Sequence, residues 1–434
     1  MKKLLSGLLC FLMVVSLGAC SSSSDDASTT ADTTATDTPL VAEGTTVTIW
    51  HTFTDDQKDT LEALAQEFNE TNEYGITVNV ESQAYDGFTD MVKTNVYNGQ
   101  GPDMILNYAS TAADYIEDEL VVDLGKYIDD PEIGIEDYAS SLPEGIYDES
   151  MSFDDGKMHI MITQTTGPVL FYNKTLYDEL SLETATTWDQ LAENAKAIYE
   201  AKGIPGVGFD SLTDTMQALI MQAGSGYIDV ENKEVLWNNE DVVSQLEYIS
   251  ENTKAGYFAV DPTNNYFSSD FNASAVGGFI GSVAGLPYVD PEGTFEFDCA
   301  AMPLEGNGWN TAWDRGLIAF DYGDEDRAIA SYLFMKFFVE PENSKEWVMS
   351  YNALSPYYAV NEDADYQAYV DSNVALKALS EQIGTAGTLP NVTGSYNVRT
   401  ELESAVRVAS HGEASAADAL NEAAINSNQA LKGE

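Results

Sequence analysis

The chain has 434 residues and a formal net charge of −53, from 72 acidic against 19 basic side chains. That balance excludes a nucleic-acid-binding face, which needs clustered lysine and arginine, and it disfavours adsorption to anionic lipid. Its apolar content of 44%, with 24 tyrosines and six tryptophans, is that of a globular body able to bury a sizeable core.

Lys2 and Lys3 give a basic start, Leu4 to Val15 is almost wholly apolar, and the small residues Ser16, Gly18 and Ala19 precede Cys20. This is the order of a secretory signal peptide, and the apolar run is too short to span a bilayer comfortably. Leu17-Gly18-Ala19-Cys20 resembles the lipobox of bacterial lipoproteins. The resemblance implies that residues 1–19 are removed and that a lipid on Cys20 anchors the chain to the cell membrane, outside the cytoplasm. The alternative is an ordinary signal peptide that happens to contain a cysteine. Residues 20–44 are Ser-, Thr-, Ala- and Asp-rich without an aromatic, too polar to fold, and read as a flexible tether. With Cys10 in the leader and Cys20 lipidated, Cys299 stands alone. No internal disulfide is expected, and Cys299 reads as a small buried residue.

Thr46 to Trp50 alternates like a strand. Thr54 to Gln57 has capping-box spacing, and Leu61, Leu64, Ala65 and Phe68 then share one helical face. Ile76, Val78 and Val80 alternate again, which makes a βαβ unit with a parallel pair. Met104 to Leu106 predicts a further short strand. Thr187 caps a helix carrying Leu191 and Ile198, and Val242, Leu246 and Ile249 mark another. A helix from Ala328 to Val339 is expected to end at Pro341, and Ser415 opens a terminal helix. Gly316 to Phe320 reads as a buried strand between helices. About 390 residues follow the tether, enough for two domains. They are α/β throughout, with no internal repeat and no second linker, so two domains would be interwoven.

Catalytic signatures are scarce. There is no Gly-x-Ser-x-Gly elbow, no phosphate loop and no clustered metal ligands, so neither a metal nor a cofactor is expected. His51, His159 and His411 are scattered and read as structural or exposed. Asp321 to Asp326 lacks the glycine and the closing glutamate of a calcium loop. With 72 acidic residues, carboxylate pairs arise by chance, although a glycosidase pair is not excluded by sequence. Trp309 and Trp313 bracket Asn310-Thr311-Ala312. Such rings stack on sugar faces, although packing in a core is the commoner role of a single tryptophan.

The stretch VTIWHTFTDDQKDTLEALAQEFNE resembles the opening of the family 1 extracellular solute-binding proteins, the receptors of carbohydrate ABC importers. GQGPDMIL is similar to their Gly-x-x-Pro-Asp turn, FDDGKMHIMITQTTGPVLFYNKTLYDE to the segment that first crosses between lobes, and TTWDQLAENAKAI to a family helix start. AIASYLFMKFFVEPENSKEWVMSYNALSPYYAV resembles the late paired helices. Together these cover nearly all of residues 46–432 in family order.

Within the family, WHTF, TGPVLFYNK, FIGSVAG and NVRTELESA most resemble glycerol-3-phosphate-binding proteins. Carried over, Tyr85, Thr165 or Thr166, Ser282, Gly316 and Arg399 would face a phosphate, and Trp313 would line the site. The polyol end departs from the pattern: Ala109 stands near the family's glutamate, and a tryptophan pair expected near Phe209 to Thr215 is missing.

The resemblance implies a periplasmic-binding-protein-like α/β fold with two lobes and three crossings, near Thr165, Ala275 and Tyr322. Lobe 1 would be 45–165 and 276–322, and lobe 2 166–275 and 323–434. It further implies a monomer that holds a sugar or phosphorylated polyol between its lobes and docks on ABC permease subunits. The rival readings are an extracellular carbohydrate hydrolase and a surface adhesin or sensor on the same fold. For Arg399 the alternative to anion binding is a surface ion pair with Glu401 or Glu403.

Overall fold

The computed structural model describes residues 42–260 and 266–433. The expected leader, Cys20 and all but the end of the tether lie outside the described residues. Among those residues, no helix is long and apolar enough to cross a membrane.

The predicted βαβ unit forms, although Thr54, at the N-cap of its helix, makes no side-chain capping hydrogen bond and the expected capping box is not closed. The strand Thr46–His51 buries every second residue and pairs in parallel with Thr77–Ser82 and Met104–Tyr108. The connecting helix, Asp55–Thr71, buries Leu61, Leu64, Ala65 and Phe68, and Asp55 and Asp56 oppose the positive end of its dipole. Two antiparallel strands complete this sheet, whose order is Thr77–Ser82, Thr46–His51, Met104–Tyr108, Trp313–Ala319, Met161–Thr166. Successive side chains point to opposite faces, so each strand feeds two cores. Met104, Leu106, Leu317 and Ala319 join one, and Ile105, Ile318 and Phe320 the other.

A second five-stranded sheet runs Phe297–Ala300, Pro168–Asn173, Gly278–Ser282, Val207–Phe209, Phe258–Ala259. It too is covered on both faces. Leu170 and Ile280 face one core; Val169, Phe171 and Phe279 face the other, where the Phe171 and Phe279 rings stack at 4.6 Å. Cys299 lies half-buried on its edge strand. Helix signals hold locally: Thr187 caps Trp188–Lys202 by accepting from the Gln190 amide, and Ser415 caps Ala416–Leu431 by accepting from Asp418. Pro341 does not simply end a helix. Glu325–Phe338 stops before it, and Pro341 occupies the first turn of the next helix, Pro341–Tyr351, where its missing amide hydrogen costs nothing.

The two sheets define the lobes, and they correct the expected boundaries. Gly278–Ser282 and Phe297–Ala300 belong to the second sheet, so most of 276–322 is not in lobe 1. The helices Glu325–Phe338 and Pro341–Tyr351 pack on the first sheet, so the stretch from 325 to 351 is not in lobe 2, while the helices Ser395–Ser410 and Ala416–Leu431 are. Trp347 fixes this. It is fully buried against Phe53 and Phe338, and its indole donates to Gln164 Oε1 at 2.8 Å. The chain changes lobe at Gly167, at Ala312, and near Asn373 between the helices Ala364–Ser372 and Val374–Gln382.

Candidate functional site

Parallel strands deliver their carboxyl ends, with the loops that follow, to one rim of a sheet. Tyr108 ends the strand Met104–Tyr108 at that rim, and its register partner on the antiparallel strand is Arg315. The pairing lays the Arg315 guanidinium over the Tyr108 ring, 4.4 Å from its centroid. Nη1 donates to Tyr351 Oη at 2.7 Å, while Nε is buried without a partner. Among the described residues no carboxylate forms an ion pair with Arg315; the groups nearest to it electrostatically are Tyr108, Tyr351 and Tyr85. Trp313, two residues earlier, shares this face by strand alternation and is half-buried.

Lobe 2 offers a second arginine in a different state. Arg399 sits in the first turn and a half of the helix Ser395–Ser410 and forks onto Asp214 of the helix Leu212–Gln222. Nη1 meets Asp214 Oδ1, Nη2 donates to Oδ2 at 3.1 Å, and Gln217 Oε1 accepts at 3.3 Å. Burial works against the guanidinium charge, and the Asp214 carboxylate more than offsets it. The expected partners Glu401 and Glu403 are thus replaced by a buried carboxylate 185 residues away in sequence.

The two lobes meet around these groups. Tyr108 of lobe 1 is within electrostatic reach of Arg399 of lobe 2. The hydroxyls of Tyr85 and Tyr266, one from each lobe, are 3.3 Å apart. Tyr266 also feels Asp210, whose carboxylate accepts the Phe267 amide at 2.7 Å. Burial pushes the Asp210 carboxyl up to about 7, against the pull of that amide.

The remaining carried-over residues are engaged elsewhere. The Thr165 hydroxyl is buried and donates to Asp314; Thr166 donates to the Trp313 carbonyl at 3.3 Å. Ser282 ends its strand and accepts from the Ala284 amide. Gly316 is buried where a Cβ would strike the Met161 carbonyl, so close strand approach accounts for its lack of a side chain. Thr165, Ala312 and Asp314 instead line a cavity of about 810 Å3 at the crossings, together with Gly145 and Ile146. Beside it, Glu149 and Asp314 form a buried carboxyl pair. Burial, and for Glu149 its acid neighbour, raises both. Glu149 Oε2 is buried without a hydrogen-bond partner. His159 is structural, bonded to the Val122 carbonyl and to Asp155.

Sequence reading missed Tyr108, Arg315, Asp210, Asp214 and Tyr266. A signal for Arg315 existed: the chain holds few arginines, and this one follows Trp313 in WDRG. Nothing local marks Asp214 among 72 acidic residues.

A family profile described as bacterial extracellular solute-binding protein matches residues 63–375. The sn-glycerol-3-phosphate-binding periplasmic protein UgpB of Salmonella paratyphi A is 20% identical over 420 residues, covering 89% of this chain and 93% of that protein. The cyclic alpha-maltosyl-1,6-maltose binding protein of Arthrobacter globiformis superposes with a TM-score of 0.75 at 21% identity, over 90% of this chain and 99% of its own. UgpB of Mycobacterium tuberculosis, solved with glycerophosphocholine, gives a TM-score of 0.76 at 14% identity, over 89% and 98%. At these identities the structural likenesses establish the two-lobed fold.

Proposed function

The chain belongs to the bacterial extracellular solute-binding protein family, and from that premise we propose that it captures a polyhydroxylated solute between its lobes and hands it to the permease of an ABC importer. One observation carries the reading. Aromatic rings and hydrogen-bonding groups of both separately cored lobes converge at one place: Tyr85, Tyr108 and Arg315 from the first, Asp210, Tyr266 and the Arg399–Asp214 pair from the second. Phenol rings cover the apolar faces of a sugar, and the Arg399–Asp214 pair offers donors and acceptors together with no net charge. The solutes named for the Salmonella and Arthrobacter proteins, a glycerol phosphate and a cyclic maltosyl sugar, are both polyhydroxylated, which supports the same class here.

Capture works by closure. A solute that touches both lobes binds the closed form better than the open one, and only that difference shifts the equilibrium. The protein then binds without turnover. Asp210 and Asp214, the carboxylates of the cleft described above, already serve the Phe267 amide and Arg399. A lipid on Cys20 would hold the receptor at the membrane that carries its permease. Fatty-acid labelling of the wild type, lost in Cys20→Ser, is the expected result; equal labelling of the variant contradicts it.

The testing experiment is a thermal-shift screen of sugars, polyols and their phosphates. A solute at 100 times its Kd adds about 2.7 kcal/mol of stability. The reading expects at least one polyhydroxylated compound to raise the melting temperature with saturation. Amino acids or peptides doing so, with no polyol effect, would overturn it.

A further inference from the structure

We propose that Arg315 is the specificity residue of this cleft and that the solute carries an oxyanion, a phosphate or a carboxylate, which Arg315 takes. The inference rests on the receptor reading and narrows its solute class. The two cleft arginines differ in one respect that decides their roles. Arg399 is bidentate on Asp214, so its fork is filled and its charge answered. Arg315 meets only phenols: Nη1 donates to the Tyr351 hydroxyl, and Tyr108 lies beneath the guanidinium with its hydroxyl within hydrogen-bonding reach. Phenols carry no charge at neutral pH, so the guanidinium has no counter-charge, and its Nε is buried and unpartnered.

A desolvated guanidinium without a counter-charge is costly unless something completes it. Here Tyr108 and Tyr351 hold it flat and aimed, which leaves the edge of the fork for a planar or tetrahedral oxyanion. The rest of the chain cannot draw such a solute in. A net charge of −53 repels anions, and salt screens distant charges over about 8–10 Å. A cation at the point of contact is therefore needed, and Arg315 is the cleft arginine not already neutralised. The anion seat lies on lobe 1, and the neutral Arg399–Asp214 pair faces the hydroxyl-bearing remainder from lobe 2.

Calorimetry with three probes of one skeleton tests this: glucose, glucuronate and glucose 6-phosphate, supplemented by glycerol and glycerol 3-phosphate. The expected result is binding of at least one anionic probe and a loss of at least about thirtyfold in its affinity for Arg315→Gln, the size of truncating one member of a buried charge pair. Arg315→Lys restores part of it by charge alone. Preference for glucuronate over the phosphates, or the reverse, identifies which oxyanion the seat fits. Circular dichroism of Arg315→Gln guards against a folding defect, and salt dependence of wild-type binding gives a readout free of any variant. A neutral probe that binds as tightly as its charged analogues, unchanged by Arg315→Gln, overturns the inference and leaves the receptor reading standing. Binding of no polyol, neutral or charged, overturns both.

Discussion

The two sides of the cleft hold the same chemical group in opposite states. On lobe 2 Arg399 is locked to Asp214 within the protein; on lobe 1 Arg315 lies on a tyrosine with its charge unanswered. A paired guanidinium supports the fold, and an unpaired one is kept for something that arrives later. The contrast teaches that charge in the cleft is not itself the functional signal. What matters is whether the protein has already satisfied it.

The contrast is broken most severely at Asp214. Asp214→Ala leaves Arg399 buried without its carboxylate, and breaking a buried pair costs about 3–5 kcal/mol. The Arg399 side chain is 39% exposed, so solvent relieves part of this and about 2–3 kcal/mol is expected. Arg315→Gln, which removes the neutral contacts to Tyr351 and Tyr108 and no ion pair, costs about 1 kcal/mol. Urea denaturation of both variants at pH 7 makes the comparison. Equal losses would mean that the two arginines are equally structural.

A second test uses pH. The Asp210 carboxyl is raised to about 7 when folded, so the native state holds a proton that the unfolded chain releases near 4. Stability is then fully present below about pH 4 and falls as pH climbs through 7. Asp210→Asn keeps an acceptor for the Phe267 amide and removes the titration. It is expected to flatten the decline and to be more stable than the wild type at pH 8, by roughly 1–3 kcal/mol once its partial exposure is allowed for. Melting temperatures from pH 4.5 to 8 read this out. The Glu149–Asp314 pair has the same sign, so Glu149→Gln should flatten the remaining slope, and a wild type that gains stability above pH 6 would contradict both assignments.

The smallest effect is at the lip. Tyr85→Phe removes only an exposed hydroxyl contact to Tyr266, and should weaken solute binding by under about threefold with no change in stability. A tenfold loss would move Tyr85 from closing contact to direct solute ligand, as its carried-over role implies.

How far the sequence could be read follows the range of the interactions. Periodicity and caps act within a few residues, so the βαβ unit, its parallel pair and the caps at Thr187 and Ser415 were legible. Lobe membership was not, because it depends on what a helix packs against after the chain has crossed. Trp347 returns the late helices to lobe 1 through Phe53 and Gln164, and no pattern within PENSKEW states that. The site divides in the same way. Arg399 could be picked out by resemblance, but its meaning depends on Asp214, 185 residues upstream. Arg315 and Tyr108 become neighbours only through antiparallel register between strands more than two hundred residues apart.

The central claim is that a solute held by groups of both lobes draws the lobes together. Small-angle X-ray scattering, with and without a saturating amount of the most stabilising polyol from the screen, tests it most directly. The account predicts a smaller radius of gyration with the solute, and no change for Arg315→Gln at the same concentration. A wild type that binds the solute and keeps an unchanged scattering profile would contradict it.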